Sequence, residues 1–179
     1  AVAITDHGVL YGVVDFYRAA TAAGVKPIVG IEAYVTPGSR FDRPPRRDDI
    51  RYHMNLLAVS DVGYRNLMTL ASRAYLEGFY YKPRIDKETL AAHSEGLICL
   101  SGCITGEINQ FIQNEDLDGA RKSVGEFRDI FGPENFFLEM HDHGLEQQAL
   151  CNKHLLEFGK EFDLQMVAAN DVHFLNKND

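Results

Sequence analysis

Cysteine is scarce in this chain of 179 residues. The three cysteines, Cys99, Cys103 and Cys151, are too few and too scattered for a disulfide framework, and no CxxC pair with zinc-ribbon spacing occurs. This usage is typical of a protein of the reducing cytosol, so we expect a cytoplasmic location.

Long apolar runs are missing as well. No segment approaches the roughly 18 consecutive apolar residues that a membrane-spanning helix requires, and the N-terminal residues do not form a signal peptide. The sequence therefore predicts neither membrane insertion nor export, and we expect no membrane partner.

Basic residues are outnumbered by acidic ones. The chain has 18 Lys and Arg against 26 Asp and Glu, which gives a net charge of −8. This balance argues against a surface whose main work is to grip phosphate backbones. If the chain handles nucleic acid, we expect an end or a single strand to be led into a metal site.

The chain does have the composition of a folded domain, with 45% hydrophobic and 25% charged residues. A chain of this length predicts one soluble domain or a part of one. It opens inside the apolar run 1–4 and stops at 176–179, just after a strand-like segment. Both ends predict a fragment of a longer chain.

Short apolar runs alternate with stretches of helical periodicity. The predicted strands are 1–5, 27–35, 53–60, 96–100, 135–140 and 164–169, and the predicted helices are 10–23, 62–76, 87–92, 104–114, 117–131 and 146–162. Residues 36–51 form a polar, Pro- and Arg-rich loop that is long enough to suggest a functional or variable insertion.

This alternation predicts an α/β fold with a parallel sheet and helices outside it. An open doubly wound sheet and a barrel both fit the pattern. Because a complete eight-fold barrel needs about 250 residues, this chain would form only a part of one.

Residues of the metal-ligand type follow three of the predicted strands, and they are Asp6, His7, Cys103, Asp171 and His173. In parallel α/β folds the carboxyl ends of the strands meet on one face, so these side chains are expected to converge. Imidazole, carboxylate and thiolate ligands suit zinc or manganese. Residues two apart on an extended segment point the same way, which would let Asp171 and His173 reach one cluster. Asp6 and His7 would face opposite ways, one ligating and the other orienting.

Structural explanations exist for the same residues. An Asp-His pair after a strand is often a turn with a helix cap, and a single Cys is often a small buried hydrophobe. Glu32, inside an apolar run, is harder to explain without a partner for its charge. From the residues alone, a metal site and a structural role stay open.

Six sequence runs together carry a family resemblance. They are AITDHG (3–8), GVKPIVGIE (24–32), GYRNL (63–67), GFYYKPR (78–84), LSGC (100–103) and ANDVH (169–173). In this order they resemble the polymerase and histidinol phosphatase (PHP) family, in the branch found in bacterial replicative DNA polymerases of the polymerase III alpha type. The resemblance runs essentially from end to end.

The resemblance implies a distorted (β/α)7 TIM-like barrel, incomplete here, with residues 1–179 forming part of one PHP domain. The N-terminal strand with the family's His-x-His motif and the C-terminal end would be missing. Of the family's nine ligands for up to three divalent ions, zinc or manganese, it implies six: His7, Glu32, His53, Cys103, Asp171 and His173. His53 rests on the resemblance alone, because it lies at the start of its strand.

For activity, the resemblance implies metal-assisted phosphodiester hydrolysis, a 3′–5′ proofreading exonuclease with Asp6, His7, Asp171 and His173 as catalytic residues. Lys82 and Arg84 are candidates for steering a phosphate. DNA synthesis would need carboxylates and magnesium beyond Asp179. The implied partners are the primer 3′ end, the rest of the polymerase alpha chain, and replisome subunits such as the sliding clamp and a separate proofreading subunit.

Three alternatives stay open: an inert PHP domain that serves as a docking platform, the error-prone translesion relative of the polymerase, and a freestanding PHP phosphatase. The run His141-Asp142-His143 imitates the missing His-x-His motif, but it follows a later strand and is predicted to form a loop. The arginines of 36–51 could touch DNA, although a solvated loop explains them equally.

Overall fold

In the computed structural model, which describes residues 1–176, one seven-stranded sheet carries helices on its outer face. The strands are β1 (Val2–Ile4), β2 (Pro27–Val35), β3 (Tyr52–Ala58), β4 (Arg84–Ile85), β5 (Leu97–Leu100), β6 (Phe136–Met140) and β7 (Met166–Ala168). The helices are α1 (Val13–Ala22), α2 (Asp61–Leu76), α3 (Lys87–Ala92), α4 (Glu107–Gln113), α5 (Leu117–Phe131) and α6 (Glu146–Phe162).

The sheet is mixed, and the prediction of a parallel sheet is wrong at β3. The strand order is β1-β2-β3-β5-β6-β7. β4 lies outside this order and pairs with the last two residues of β2, whereas β1 pairs with the first three. β3 runs antiparallel to both β2 and β5, whereas the other pairs are parallel. A parallel pair needs a crossover, usually a helix. Residues 36–51 contain only the short 3-10 turn Arg46–Asp48, so the chain returns beside β2 in the opposite direction.

The sheet curls so that its two ends approach each other at one rim. The rings of His7, after β1, and His173, after β7, lie 5.6 Å apart between centroids. Within residues 1–176, β1 pairs with β2 and β7 with β6, each on one edge. This curled sheet is consistent with an incomplete TIM-like barrel and excludes the flat doubly wound alternative.

Alternation along β2 separates the packed core from the barrel interior. Ile31, Ala33 and Val35 are buried against the helices, whereas Glu32 and Tyr34 face the other side. The core continues through α2, α5 and α6, where side chains such as Phe127 and Phe158 are fully buried. Burial of each such side chain contributes about 1.5–3 kcal/mol. The apolar layer fixes β2 and so directs Glu32 inward.

The loop 36–51 is held by buried arginines. Arg84 is fully buried; it donates to Asp49 Oδ1 at 3.0 Å and to the carbonyl oxygen of Asp42 at 2.6 Å. Arg40 is also buried and pairs with Asp86 at 3.0 Å and Glu77 at 2.7 Å. The loop is therefore an ordered part of the fold, and Arg40 is not available as a DNA contact. Among residues 1–176, no helix combines the length and apolarity needed to cross a membrane.

Candidate metal centre

Three of the predicted ligands meet directly at one rim of the sheet. The Nδ1 atom of His53 lies 2.7 Å from Glu32 Oε1, and the Nδ1 atom of His7 lies 3.4 Å from Glu32 Oε2. One ligand atom from each of the three residues falls within 4.8 Å of the other two. The Glu32 side chain is 7% exposed and the His7 side chain 40%, so the group opens to solvent on the His7 side.

Backbone pairing places these three side chains. His7 forms a parallel bridge with Glu32, and the amide of Gly8 donates to the Glu32 carbonyl oxygen at 2.8 Å. His53 lies opposite Tyr34, two residues after Glu32, so its side chain shares the face of Glu32 and Tyr34. Because β3 is antiparallel to β2, the start of β3 lies at the end of β2. His53 therefore has a physical reason for its place that the sequence did not show.

Cys103 contacts the group of His7, Glu32 and His53 at the His53 ring. Its sulfur lies 3.8 Å from His53 Nδ1 and 3.1 Å from Thr105 Oγ1. The turn that carries Cys103 depends on Gly102, whose φ of +88° is in the left-handed region. A Cβ atom on Gly102 would collide with the carbonyl oxygen of His53. The end of β5 and the start of β3 are thus in contact at this glycine.

The neighbours of His53 raise the pKa of its imidazole. Hydrogen bonding to the Cys103 sulfur, and then the hydrogen bond and charge of Glu32, raise the pKa of His53 to about 9, although burial opposes this rise. A metal ligand must be a neutral imidazole. Metal binding at His53 therefore competes with a proton at neutral pH.

His173 lies at the same rim and contacts Asp171. The His173 ring lies beside His7, while its Nδ1 atom is 2.8 Å from the Asp171 carbonyl oxygen and 3.9 Å from Asp171 Oδ1. The predicted extended geometry is wrong here, because Asp171 has a φ of +46°. A left-handed residue turns the chain, so strand alternation does not account for the closeness of the two side chains.

Asp6 and His7 face different ways, as their adjacency predicts. While His7 joins Glu32, the Asp6 carboxylate accepts a hydrogen bond from the amide of Gly12 at 3.1 Å. Asp6 thus holds the turn that leads into α1, which agrees with an orienting role. It brings no oxygen into the His7–Glu32–His53 group.

The two candidates for phosphate steering differ. Arg84 is fully buried and its guanidinium is bound to the loop 36–51, which conflicts with the phosphate-steering role predicted for it. Lys82 is exposed, and its ammonium lies 5.4 Å from the centre of the Tyr34 ring. Tyr34 in turn contacts the rings of His7 and His53. Lys82 is therefore the cation of the two that lies near the rim.

Glu139 and His141 form a buried pair at this rim that is not among the predicted site residues. Glu139 Oε1 lies 3.1 Å from His141 Nε2, and both side chains are at most 4% exposed. Glu139 lies in the apolar run FFLEM. A carboxylate inside an apolar run, the feature that marked Glu32, therefore also marks Glu139. His141 belongs to the run that imitates a His-x-His motif, but the sequence predicted that run to form a loop.

The donor atoms fit a divalent metal ion. Imidazole nitrogens from His7 and His53 and a carboxylate oxygen from Glu32 are ligands that zinc and manganese accept. Cys103 beside His53 would add a thiolate. The set lies at a solvent-accessible rim, as a site for metal-assisted chemistry on a large substrate requires.

Comparison with known proteins identifies the family and the fold. The family model described as "PHP domain" matches residues 1–143. A structure assigned as a metal-dependent phosphoesterase from Bifidobacterium adolescentis has a TM-score of 0.52 and 14% identity, covering 100% of this chain and 79% of that chain. At this identity the likeness concerns the fold.

Curated relatives are similar over the whole chain. The chain is 53% identical over 181 residues to the DNA polymerase III subunit alpha of Thermus aquaticus and 45% identical over 183 residues to that of Deinococcus radiodurans. Both alignments cover 100% of this chain, but the chain spans only 15% and 14% of those relatives. With the family match over 1–143 and the curled sheet, these similarities show that the chain belongs to the PHP domain family.

Proposed function

We propose that this chain is a metal-dependent phosphodiesterase module that removes nucleotides from the 3′ end of a primer. The observation that carries the proposal is the group of His7, Glu32 and His53, whose ligand atoms lie within 4.8 Å of one another at the rim. The family supplies phosphoesterase chemistry, and the similarity to DNA polymerase III alpha subunits supplies DNA as the substrate.

Each residue has a distinct part in this proposal. His7, Glu32 and His53 would hold one divalent ion, zinc or manganese, while Cys103, Asp171 and His173 would supply further ligands of a cluster of up to three ions. When bound, the metal lowers the pKa of a water molecule and stabilises charge on the phosphate. The ammonium of Lys82 attracts the phosphate from beside Tyr34. Asp6 fixes the turn after His7 through Gly12.

The wider setting of the module follows the relatives. We propose that residues 1–179 act as part of the PHP domain of a cytoplasmic bacterial replicative polymerase, whose magnesium-dependent synthesis site lies in another part of the protein. The partners would be the primer 3′ end, the rest of that chain, the sliding clamp and a proofreading subunit. Asp171 and His173 follow the residues matched by the family model, so their role rests on the relatives that align over the whole chain.

Primer trimming by the full-length protein tests this function. With manganese or zinc added, a primer with a mismatched 3′ end should shorten faster than a matched one. Glu32→Gln keeps the shape of the side chain but removes its charge, and it should reduce trimming by at least about 100-fold. The double variant Asp171→Ala, His173→Ala should act likewise. Equal trimming by the wild type and both variants would show that the nuclease lies elsewhere. Absence of trimming with metal bound would favour a docking platform.

A further inference from the structure

Strand β6 brings a buried carboxylate and imidazole to the rim where the predicted ligands gather. It lies between β5, which leads to Cys103, and β7, which leads to Asp171 and His173. It is parallel to both, so its carboxyl end faces the same rim. Glu139 is the fourth residue of β6, and His141 follows the strand directly.

Glu139 is bound on several sides by the residues around the metal group. Its carboxylate accepts hydrogen bonds from Asn55 Nδ2 at 3.1 Å and from the amide of Gly102 at 3.2 Å. Asn55 lies opposite Glu32 in the sheet, and Gly102 precedes Cys103. The carboxylate therefore lies between the strand that carries His53 and the turn that carries Cys103.

The hydrogen bond to Glu139 fixes the tautomer of His141. A carboxylate only accepts, so the Nε2 atom of His141 carries the hydrogen and donates it to Glu139 Oε1 at 3.1 Å. In the neutral imidazole, the Nδ1 atom is then left with a free lone pair. It is buried and has no hydrogen-bond partner among the residues that the structure describes. A buried polar atom of this kind calls for a ligand, because leaving it unsatisfied costs about 1–3 kcal/mol.

His143, two residues later, provides the contrast. Its Nδ1 atom lies 2.9 Å from Gln148 Nε2, and its Nε2 atom lies 2.9 Å from the Asn170 carbonyl oxygen. Both ring nitrogens of His143 are therefore occupied by groups of the protein. The two histidines of the His141-Asp142-His143 run are thus not equivalent, and only His141 retains an unused nitrogen.

We propose that His141 is a further ligand of the metal centre, binding a divalent cation through Nδ1 while Glu139 holds its Nε2 hydrogen. Metal-bound histidines usually donate their other ring N–H to a carboxylate or carbonyl oxygen, which is the arrangement seen here. The inference rests on the proposed metal centre, and it adds a ligand from β6.

The surrounding charges favour a cation at this position. The hydrogen bond to Glu139 and the negative charges of Glu139, Asp171 and Glu32 raise the pKa of His141, against its burial. Two of these three carboxylates, Asp171 and Glu32, belong to the predicted ligand set. A buried imidazole nitrogen without a partner, beside these negative charges, attracts a proton or a metal ion.

Zinc affinity of the full-length protein tests the inference. His141→Gln keeps a side-chain amide able to donate to Glu139, and His141→Ala removes the ring entirely. His143→Ala is the matched control, because it removes a neighbouring imidazole whose nitrogens are already occupied. We expect competition with a chromophoric chelator to show zinc held at least about tenfold more weakly by both His141 variants than by the control.

Thermal unfolding in the presence of a chelator identifies any variant that is misfolded before zinc is added. If the wild type binds zinc and His141→Gln binds it equally tightly, His141 is not a ligand and the proposed function stands. If the wild type binds neither zinc nor manganese, the metal centre itself is wrong and this inference fails with it.

Discussion

At the scale of single residues, Lys82 and Arg84 show how burial changes the meaning of a positive charge. They stand two positions apart, and from sequence both are candidates for steering a phosphate. In the structure Lys82 is exposed near Tyr34, whereas Arg84 is fully buried and joins Asp49 to the backbone of the loop 36–51. The spacing alone gave no sign of this difference, because it depends on the carboxylate that the loop brings.

Replacing each of the two residues by methionine should separate stability from activity. Arg84→Met removes the buried, hydrogen-bonded partner of Asp49 and leaves only the longer ion pair with Arg51 at 3.5 Å. We expect it to lower the free energy of unfolding by about 3–5 kcal/mol. Lys82→Met should change stability by less than about 0.5 kcal/mol while weakening primer trimming. Urea denaturation followed by circular dichroism measures the first effect. Similar stability losses in both variants would contradict the contrast in burial.

At the scale of elements, the direction of β3 explains why one ligand looked misplaced. Hydrophobic periodicity predicted β2, α3, α5 and α6 with their observed bounds, because their apolar faces pack on the core. Periodicity carries no information about strand direction. The antiparallel return depends on how the loop 36–51 is held by Arg40 and Arg84, which are distant contacts. His53 could therefore be predicted by resemblance but not by position.

The turn after β5 offers a test of contact between elements. Gly102 and Gly132 both have positive φ, +88° and +79°, but a Cβ atom would strike the His53 carbonyl oxygen only at Gly102. In each variant, alanine should cost roughly 1–2 kcal/mol for the left-handed backbone. Gly102→Ala should cost more and also weaken zinc binding, because it separates Cys103 from His53. If Gly102→Ala and Gly132→Ala lost equal free energy of unfolding and equal zinc affinity, the turn at Gly102 would be free to move away from His53.

Asp86, which caps the N-terminus of α3 by accepting from the amide of Thr89, should make the stability of the fold depend on pH. Burial opposes the charge of Asp86, but hydrogen bonds from Arg40 and Thr89 outweigh it and lower the pKa of this carboxyl below its usual 3.8. A lowered pKa stabilises the fold above the unfolded value, and this contribution is lost as pH falls through the folded value. Asp86→Asn should therefore be less stable than the wild type at pH 7, and the gap should narrow below about pH 4.

Asp116→Asn is the matched control for the cap of α3. Asp116 caps α5 by accepting from the amide of Gly119 at 2.9 Å, but it is exposed. Its replacement should cost about 1 kcal/mol or less. Unfolding by guanidinium chloride at pH 7 and at pH 3.5 gives both comparisons. A gap for Asp86→Asn that stays constant between these pH values would show that its charge does not stabilise the fold.

At the scale of the whole molecule, the metal centre depends on the curl of the sheet. The six predicted ligands come from β1, β2, β3, β5 and β7 or the turns after them, so they meet only because the sheet bends. Residue types and strand ends predicted His7, Cys103, Asp171 and His173 at one rim, but they did not predict His53, which rests on the family resemblance. They could not predict Glu139 and His141 as a pair, because that needs the hydrogen bonds from Asn55 and Gly102 across the sheet.

A metal ion that binds several strands of one sheet should stabilise the whole fold. A ligand that binds only the folded state adds about 2.7 kcal/mol when its concentration is 100 times its dissociation constant. Zinc or manganese should therefore raise the midpoint of thermal unfolding, and a chelator should reverse the change. Glu32→Gln should abolish most of this shift, whereas Lys82→Met, near the rim but outside the ligand set, should preserve it. A metal-induced shift of equal size in Glu32→Gln would place the ion away from this rim, because Glu32 contacts both His7 and His53.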